Sequence, residues 1–296
     1  MSRPACTEVD GALLRAWPLP RPVPDGDKEE RGRVLVIAGS AEMPGAATLA
    51  GIAVLRAGAG KLVIATARSA AQSVAACVPE ARVLALPETS DGGPSMHALP
   101  LLQPLAGRVA AVLIGPGMVG REVTLALVHA LLPLLRDVPV VLDALAMDSV
   151  RSLRRFAQPV LLTPHAGEMA DLTGEEKEEL EEVPLAIARR GAAEWNAVVA
   201  LKGATTVVAH PDGAAWRHTL EVPGLGISGS GDVLAGLVAG LAARGAPLEQ
   251  AAAWGVALHA RAGQGHERRV GMLGYLAPEL AGEVPPLMQA LAPARG

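Results

Sequence analysis

The chain has 296 residues, of which half are hydrophobic, and a formal net charge of −4 with its histidines neutral. This charge excludes a basic surface for nucleic acid, and four Trp, one Tyr and one Phe leave almost no aromatic surface on which bases could stack. The sequence has neither an apolar run long enough to span a bilayer nor an apolar signal core at its start, which predicts a cytoplasmic protein without membrane contact.

The first segment of the chain is a proline-rich arm. Prolines alternate with other residues over residues 17–24, a pattern typical of an extended backbone, and a charged stretch leads from there to residue 33. Because this segment is too short to form a domain, we interpret residues 1–32 as a leader that packs on a single domain formed by residues 33–296.

Aliphatic segments alternate with helical ones along the rest of the chain. We predict buried strands at residues 33–40, 61–66, 82–86, 110–114, 139–142, 159–162 and 197–201. We predict helices at about residues 44–57, 122–135 and 248–263, the last of them final, with Pro285 and Pro286 closing the fold. This alternation predicts an α/β fold whose mostly parallel sheet is covered by helices.

The predicted strands end in polar or glycine-bearing tips. These tips are Gly39-Ser40, Gly115-Pro116-Gly117, Asp143, Thr163-Pro164-His165 and Lys202-Gly203. Parallel strands bring their carboxyl ends to one edge of a sheet, where open α/β folds bind their ligands. We therefore predict the functional site at that edge.

A glycine-rich loop precedes an apolar helix with a stripe at residues 233–241. The loop reads Gly-Leu-Gly-Ile-Ser-Gly-Ser-Gly-Asp over residues 224–232, and its bare backbone at Gly229, Ser230 and Gly231 predicts an anion hole at the helix start. Asp232 is unexpected there, since a carboxylate repels an anion. It is either an N-cap or first-turn acid or a functional group.

Three other features each allow a functional and a structural interpretation. The Lys202–Thr206 stretch suits nucleotide phosphate or ribose, but also an ordinary surface hairpin. His165 is a ligand, an acid/base or a hydrogen-bonded loop residue, and Asp143 is a site group or a helix cap. No His, Cys, Asp or Glu spacing is typical of a metal site, so we expect any Mg²⁺ to arrive bound to phosphate.

Taken in order, these motifs resemble those of the ADP- or ATP-dependent NAD(P)H-hydrate dehydratases of the ribokinase-like superfamily. The resemblance extends from about residue 32 to the C-terminus and implies a ribokinase-like three-layer α/β/α sandwich, here as a stand-alone dehydratase without the fused epimerase domain of many relatives. The motifs that carry it are Ser40…Pro44-Gly45-Ala46, Gly115-Pro116-Gly117, Val141-Leu142-Asp143-Ala144, Leu162-Thr163-Pro164-His165-Ala166-Gly167-Glu168, Leu201-Lys202-Gly203-Ala204-Thr205-Thr206 and Gly229-Ser230-Gly231-Asp232-Val233-Leu234-Ala235-Gly236.

The resemblance implies repair of hydrated NADH or NADPH. In such enzymes a phosphoryl group passes from ADP or ATP, with its Mg²⁺, to the ring hydroxyl and then leaves as phosphate. The family pattern implies that Ala46, Gly117, His165 and Asp232 face the hydrate, with Asp232 as the base. It implies a nucleotide site formed by Lys202, Gly203, Ala204, Thr205, Thr206 and Gly231. It also implies a homo-oligomer, for which we expect a tetramer.

Two positions depart from the family pattern. Leu145 stands where relatives often have a second aspartate, and Val222 where they often have an asparagine before the glycine loop. A small-molecule kinase of the same superfamily, acting on a vitamin precursor or a sugar, would keep Asp232 and the loop. A non-catalytic nucleotide sensor is the third alternative, suggested only by Leu145.

Overall fold

A ten-stranded sheet runs through the computed structural model, which describes residues 6–21 and 26–292. Its strands are β1 (Cys6–Glu8), β2 (Arg33–Ile37), β3 (Lys61–Ala67), β4 (Arg82–Leu86), β5 (Ala111–Ile114), β6 (Val140–Leu142), β7 (Val160–Leu162), β8 (Val198–Leu201), β9 (Thr205–Ala209) and β10 (Ala215–Thr219). They lie in the order β1-β10-β9-β8-β7-β6-β5-β2-β3-β4, and β9 alone among these strands runs antiparallel to its neighbours.

Helices cover both faces of the sheet. They are α1 (Gly11–Ala16), α2 (Pro44–Arg56), α3 (Ala71–Cys77), α4 (Leu99–Ala106), α5 (Arg121–Leu131), α6 (Val150–Leu153), α7 (Ala166–Thr173), α8 (Lys177–Glu182), α9 (Pro184–Trp195), α10 (Ser230–Ala243), α11 (Leu248–Arg269) and α12 (Ala277–Leu291). One core holds α2, α10, α11 and α12, and the other holds α4, α5, α7 and α9. The predicted three-layer, mostly parallel fold is confirmed. Within the described ranges, no helix is both long and apolar enough to cross a bilayer.

The alternation of side chains along β2 shows why these strands are apolar throughout. Val34 and Val36 pack into one core, while Leu35 and Ile37 pack into the other. Successive residues of a strand point to opposite faces, so a strand covered on both sides needs an apolar residue at every position.

Helix α10 is buried on nearly its whole circumference. The predicted apolar stripe is therefore only part of its buried surface. Gly236 allows this burial, because a Cβ there would collide with the carbonyl of Ala50 in α2. The glycine loop packs against the same helix, since a Cβ at Gly229 would collide with the Leu49 side chain of α2.

The structure differs from the predicted helices at two proline-containing sites. The helix predicted to reach residue 135 ends at Leu131, because Pro133 has no N–H for a helical hydrogen bond and a 3₁₀ turn follows. The prediction that residues 248–263 form the last helix was wrong, since α12 follows and contains Pro285 and Pro286. Burial of the apolar face of α12 against the core offsets the local cost of the prolines, about 3 kcal/mol for each proline inside a helix.

The N-terminal segment extends the sheet, which the sequence did not indicate. Strand β1 pairs in parallel with β10, and the indole Nε1 of Trp254 donates to the Trp17 carbonyl over 2.8 Å. Residues 1–5 and 22–25 of the predicted leader fall outside the described residues. The boundary assigned at residue 33 stays a prediction.

Candidate active site

Backbone hydrogen bonds join the strand tips at one edge of the sheet. Strands β8, β7, β6, β5 and β2 are successive parallel neighbours, so their carboxyl ends lie side by side. The Gly39 amide donates to Pro116, the Asp143 amide to Ile114 and the Lys202 amide to Pro164 over 2.7, 3.0 and 2.7 Å. The tips thus form one continuous surface.

A charge cluster of Asp143, Lys202 and Glu168 lies on this surface. The ammonium of Lys202 is 3.6 Å from a carboxylate oxygen of each acid, and the Thr163 hydroxyl donates to Asp143 over 2.6 Å. Burial alone lowers the pKa of Lys202, but the two carboxylates raise it above its ordinary value. Lys202 therefore stays charged at neutral pH, and Asp143 acts as its partner rather than as a side-chain helix cap.

The glycine loop brings the start of α10 to the same place. Gly229 adopts φ +88°, a left-handed conformation that favours glycine, and the Ser230 amide donates to the Ile227 carbonyl over 3.3 Å. In the described part of the chain, no backbone partner is present for the amides of Gly231 and Asp232. These two N–H groups, rather than the Ser230 amide, are open to an anion at the positive end of the helix.

Asp232 is the third residue of α10, beyond the N-cap position that Gly229 occupies. Burial, reinforced by the charge of Asp143 and opposed by that of Lys202, raises the pKa of Asp232 to about 7. Within residues 6–21 and 26–292, its carboxylate makes neither a hydrogen bond nor a salt bridge. The carboxylate of Asp232, which has no protein partner and a raised pKa, is therefore next to the free amides of Gly231 and Asp232. This arrangement is suited to proton abstraction.

A cavity of about 670 Å³ opens beside the loop and the charge cluster. It is large enough for a nucleotide. Six predicted site residues line it beside Ser230: His165, Lys202, Gly203, Ala204, Thr206 and Gly231. Leu225, Gly226, Ile227 and Leu234, which belong to the glycine-rich loop and the helix after it, and Val222 also line it. The lining that the sequence did not indicate comprises His218, Leu220, Glu221, Pro223, Val256, His259 and Ala260.

Other predicted site residues lie outside the lining of this cavity. A Cβ added to Gly117 would be 2.5 Å from the Ala46 Cβ, so these two residues adjoin each other at the start of α2. Gly229 and Asp232 belong to the loop but not to the lining. Thr205 is also outside the lining, and its hydroxyl is 3.1 Å from that of Thr219 on β10. Its role in nucleotide binding stays a prediction.

Comparison with known proteins identifies the family. The family profile described as NAD(P)H-hydrate dehydratase matches residues 34–286. The chain belongs to this family. It is 48% identical, over 98% of its length and 99% of the relative's, to an ADP-dependent (S)-NAD(P)H-hydrate dehydratase of Xanthomonas campestris pv. campestris. It is also 41% identical to a bifunctional NAD(P)H-hydrate repair enzyme of Moorella thermoacetica, covering 94% of this chain but 54% of that protein.

A solved dehydratase structure supports the same assignment. The ADP/ATP-dependent NAD(P)H-hydrate dehydratase of Bacillus subtilis, co-crystallised with ATP and Mg²⁺, superimposes with a TM-score of 0.83. It is 31% identical, and the match covers 97% of this chain and 99% of that one. The family resemblance and the ribokinase-like fold inferred from the motifs are confirmed.

In this member of the dehydratase family, His165 has a structural role whatever else it does. It is the N-cap of α7, where its Nδ1 accepts from the Glu168 amide over 3.1 Å and the Glu168 carboxylate accepts from the His165 amide over 2.8 Å. This capping box satisfies two backbone donors. The side chain remains 59% exposed and lines the cavity, so it is also accessible to a ligand.

Val222, one of the two departures from the family pattern noted in the sequence, places an apolar side chain on the cavity wall of this dehydratase. It lies there beside Leu225, Gly226 and Ile227 of the glycine-rich loop. Within the described ranges, no group of three or more His, Cys, Asp or Glu residues is arranged to hold a metal ion.

Proposed function

We propose that this protein dehydrates hydrated NADH or NADPH at the expense of ADP, giving NAD(P)H, AMP and phosphate. The observation that carries the proposal is the position of Asp232, whose pKa is raised to about 7, next to the free amides at the start of α10. Family membership and the ADP-dependent relative support the same reaction.

In the proposed complex, the nucleotide occupies the 670 Å³ cavity. The ammonium of Lys202, whose side chain is mostly buried, binds the phosphates. The backbone of the turn at Gly203 and Ala204 lies close to the ligand. The Gly231 and Asp232 amides bind the terminal phosphate, whose Mg²⁺ arrives with the nucleotide. ATP in place of ADP would fit the same contacts.

The proposed reaction proceeds in two steps. Asp232 takes the proton of the ring hydroxyl, whose oxygen attacks the β-phosphorus of ADP while the bond to the bridging oxygen breaks and AMP leaves. The carbon–oxygen bond of the new phosphate ester then breaks, a proton leaves the neighbouring ring carbon, and the double bond re-forms. Phosphorylation helps because phosphate is a far better leaving group than hydroxide.

The position of the hydrate in this proposal follows the family pattern. Ala46 and Gly117, which adjoin each other at the start of α2, and His165 at the cavity edge would contact it. Small residues at the first two positions leave room for the nicotinamide ring. Asp232 would lie between the hydrate and the nucleotide.

The direct test is incubation with chemically hydrated NADH and ADP, followed by the absorbance of the reduced nicotinamide. We expect the absorbance to recover, with one AMP and one phosphate formed per NADH. The glycine-rich loop and Asp232 would also suit a small-molecule kinase. Such a kinase would instead release a stable phosphorylated product. Absence of recovery with both ADP and ATP would contradict the proposed function.

Substitution of His165 separates its capping role from ligand contact. We expect both His165→Ala and His165→Asn to raise KM for the hydrate more than KM for ADP. Only His165→Ala should also lose stability, by about 0.5–2 kcal/mol, because asparagine is a good N-cap. Steady-state kinetics and urea unfolding measure the two effects. A change confined to stability would leave His165 as a cap alone.

The homo-oligomer and the cytoplasmic location expected from the sequence stay part of this proposal. Light scattering on the purified protein would measure its mass in solution. A monomer would contradict the expected tetramer.

A further inference from the structure

A buried histidine of α11 contacts the first residue of α10. His259 and Ser230 are 9% and 5% exposed, and both line the cavity. The Nε2 atom of His259 lies 3.0 Å from the Ser230 hydroxyl oxygen and 3.0 Å from the Ser230 carbonyl oxygen. One ring nitrogen therefore contacts both oxygens of the residue that opens the helix.

These contacts determine which nitrogen of His259 carries the proton. Burial lowers the pKa of His259 to about 4, so the ring is neutral at neutral pH and has a single N–H. A carbonyl oxygen only accepts, and a bare Nε2 at 3.0 Å would place two lone pairs against each other. Nε2 therefore carries the hydrogen and donates to the Ser230 oxygens.

The assignment leaves the hydroxyl hydrogen of Ser230 without a protein acceptor. The hydroxyl oxygen accepts a hydrogen bond from His259. Within the described ranges, no side-chain or backbone atom accepts a hydrogen bond from the hydroxyl. Ser230 is the first residue of α10 and directly precedes the two residues with free amides, and it lines the cavity. Its hydroxyl is thus an unused donor at the start of this helix.

We propose that His259 is a positioning residue that holds Ser230 so that the Ser230 hydroxyl donates to the anion bound at the start of α10. The inference rests on the proposed function in one respect, namely that this anion is the terminal phosphate of ADP. The Ser230 hydroxyl contacts the phosphate, and His259 acts through it.

The experiment compares ADP with AMP, which lacks the phosphate in question. Calorimetric titrations of His259→Leu and Ser230→Ala should each show about tenfold weaker ADP binding and unchanged AMP binding, the size expected for one hydrogen bond to a charged group. Turnover with hydrated NADH and ADP should fall by about 10²-fold, as for loss of one oxyanion donor. The double variant should be no worse than Ser230→Ala, since both changes remove one contact.

Two further variants distinguish positioning from packing. His259→Gln carries an amide nitrogen close to the place of Nε2, and it should keep ADP affinity within about threefold. Gln250→Leu is the matched control. Gln250 lies on the same helix, and the substitution removes its part-buried hydrogen bonds to the carbonyls of Trp17 and Pro18, so only stability should change.

An unchanged ratio of ADP to AMP affinity in Ser230→Ala, or additive losses in the double variant, would overturn the inference. Equal losses in His259→Gln and His259→Leu would also overturn it. If His259→Leu does not fold, Ser230→Ala and His259→Gln decide the matter. If the parent protein lacks dehydratase activity but the ADP to AMP ratio responds as expected, the proposed function fails and the inference stands.

Discussion

Asp232→Asn is expected to bind ADP but to lose about 10²–10⁴-fold in turnover with hydrated NADH. The amide has nearly the shape of the carboxylate but cannot accept a proton at neutral pH. ADP affinity should be equal or greater, because the neutral side chain no longer repels the phosphates. The measurements are steady-state kinetics and calorimetric titration with ADP. Retention of most of the turnover would show that Asp232 is not the base.

The parent enzyme should show the titration of Asp232 in its pH profile. Since the base acts as the carboxylate and its pKa is raised to about 7, kcat/KM should rise with pH and reach half its maximum near pH 7. The residual kcat/KM of Asp232→Asn should not show this rise with pH. A parent profile that is flat between pH 5 and 8 would contradict the assignment.

Asp232→Asn should also make the protein more stable than the parent at pH 8. A pKa of about 7 in the folded state exceeds the ordinary value near 4 of the unfolded chain, so the folded state binds the proton more tightly. Stability conferred by this group therefore falls as pH rises from about 4 to 7 and stays low above. Asp232→Asn removes that penalty, roughly 2–4 kcal/mol, since each pKa unit is worth a little over 1 kcal/mol. Urea unfolding at pH 8 and pH 4 should show a gain only at pH 8.

Lys202→Met is expected to weaken ADP binding and to destabilise the protein. Loss of one charge-assisted contact to phosphate costs about 1.5–3 kcal/mol, which corresponds to roughly 10- to 100-fold in affinity. The substitution also leaves Asp143 buried without its cation. Removing one partner of a buried ion pair typically lowers the free energy of unfolding by about 3–5 kcal/mol. Lysine at this position therefore does more than the surface hairpin interpretation allowed. Calorimetry and urea unfolding measure the two losses.

The cluster also predicts opposite shifts in the pH profile. Lys202 lowers the pKa of Asp232, so Lys202→Met should move the rise of kcat/KM to higher pH. Asp143 raises the pKa of Asp232, so Asp143→Asn should move this rise to lower pH. The double variant removes the buried carboxylate of Asp143 together with its cation, so it should recover much of the stability lost in Lys202→Met. Identical ADP titrations for Lys202→Met and the parent would remove Lys202 from the nucleotide site.

The sequence alone determined the layers of the fold and the edge that bears the site. Strand residues such as Val34 to Ile37 must be apolar at every position when both faces are covered, so local composition carried that information. The strand tips and the loop before α10 could be located for the same reason, since glycine, proline and polar residues interrupt apolar segments. Where α5 ends early, Pro133 was the overlooked local signal.

The tertiary structure decided the chemistry of the individual groups. The salt bridges of Lys202 join residues that follow different strands, and the raised pKa of Asp232 depends on burial and on Asp143, none of which has a local sequence signature. The cavity wall at residues 220–227 and the contact of His259 with Ser230 likewise arise only when α10 and α11 pack together. Spacing along the chain indicates which residues share an edge, whereas desolvation and charge pairing depend on distances that only folding sets.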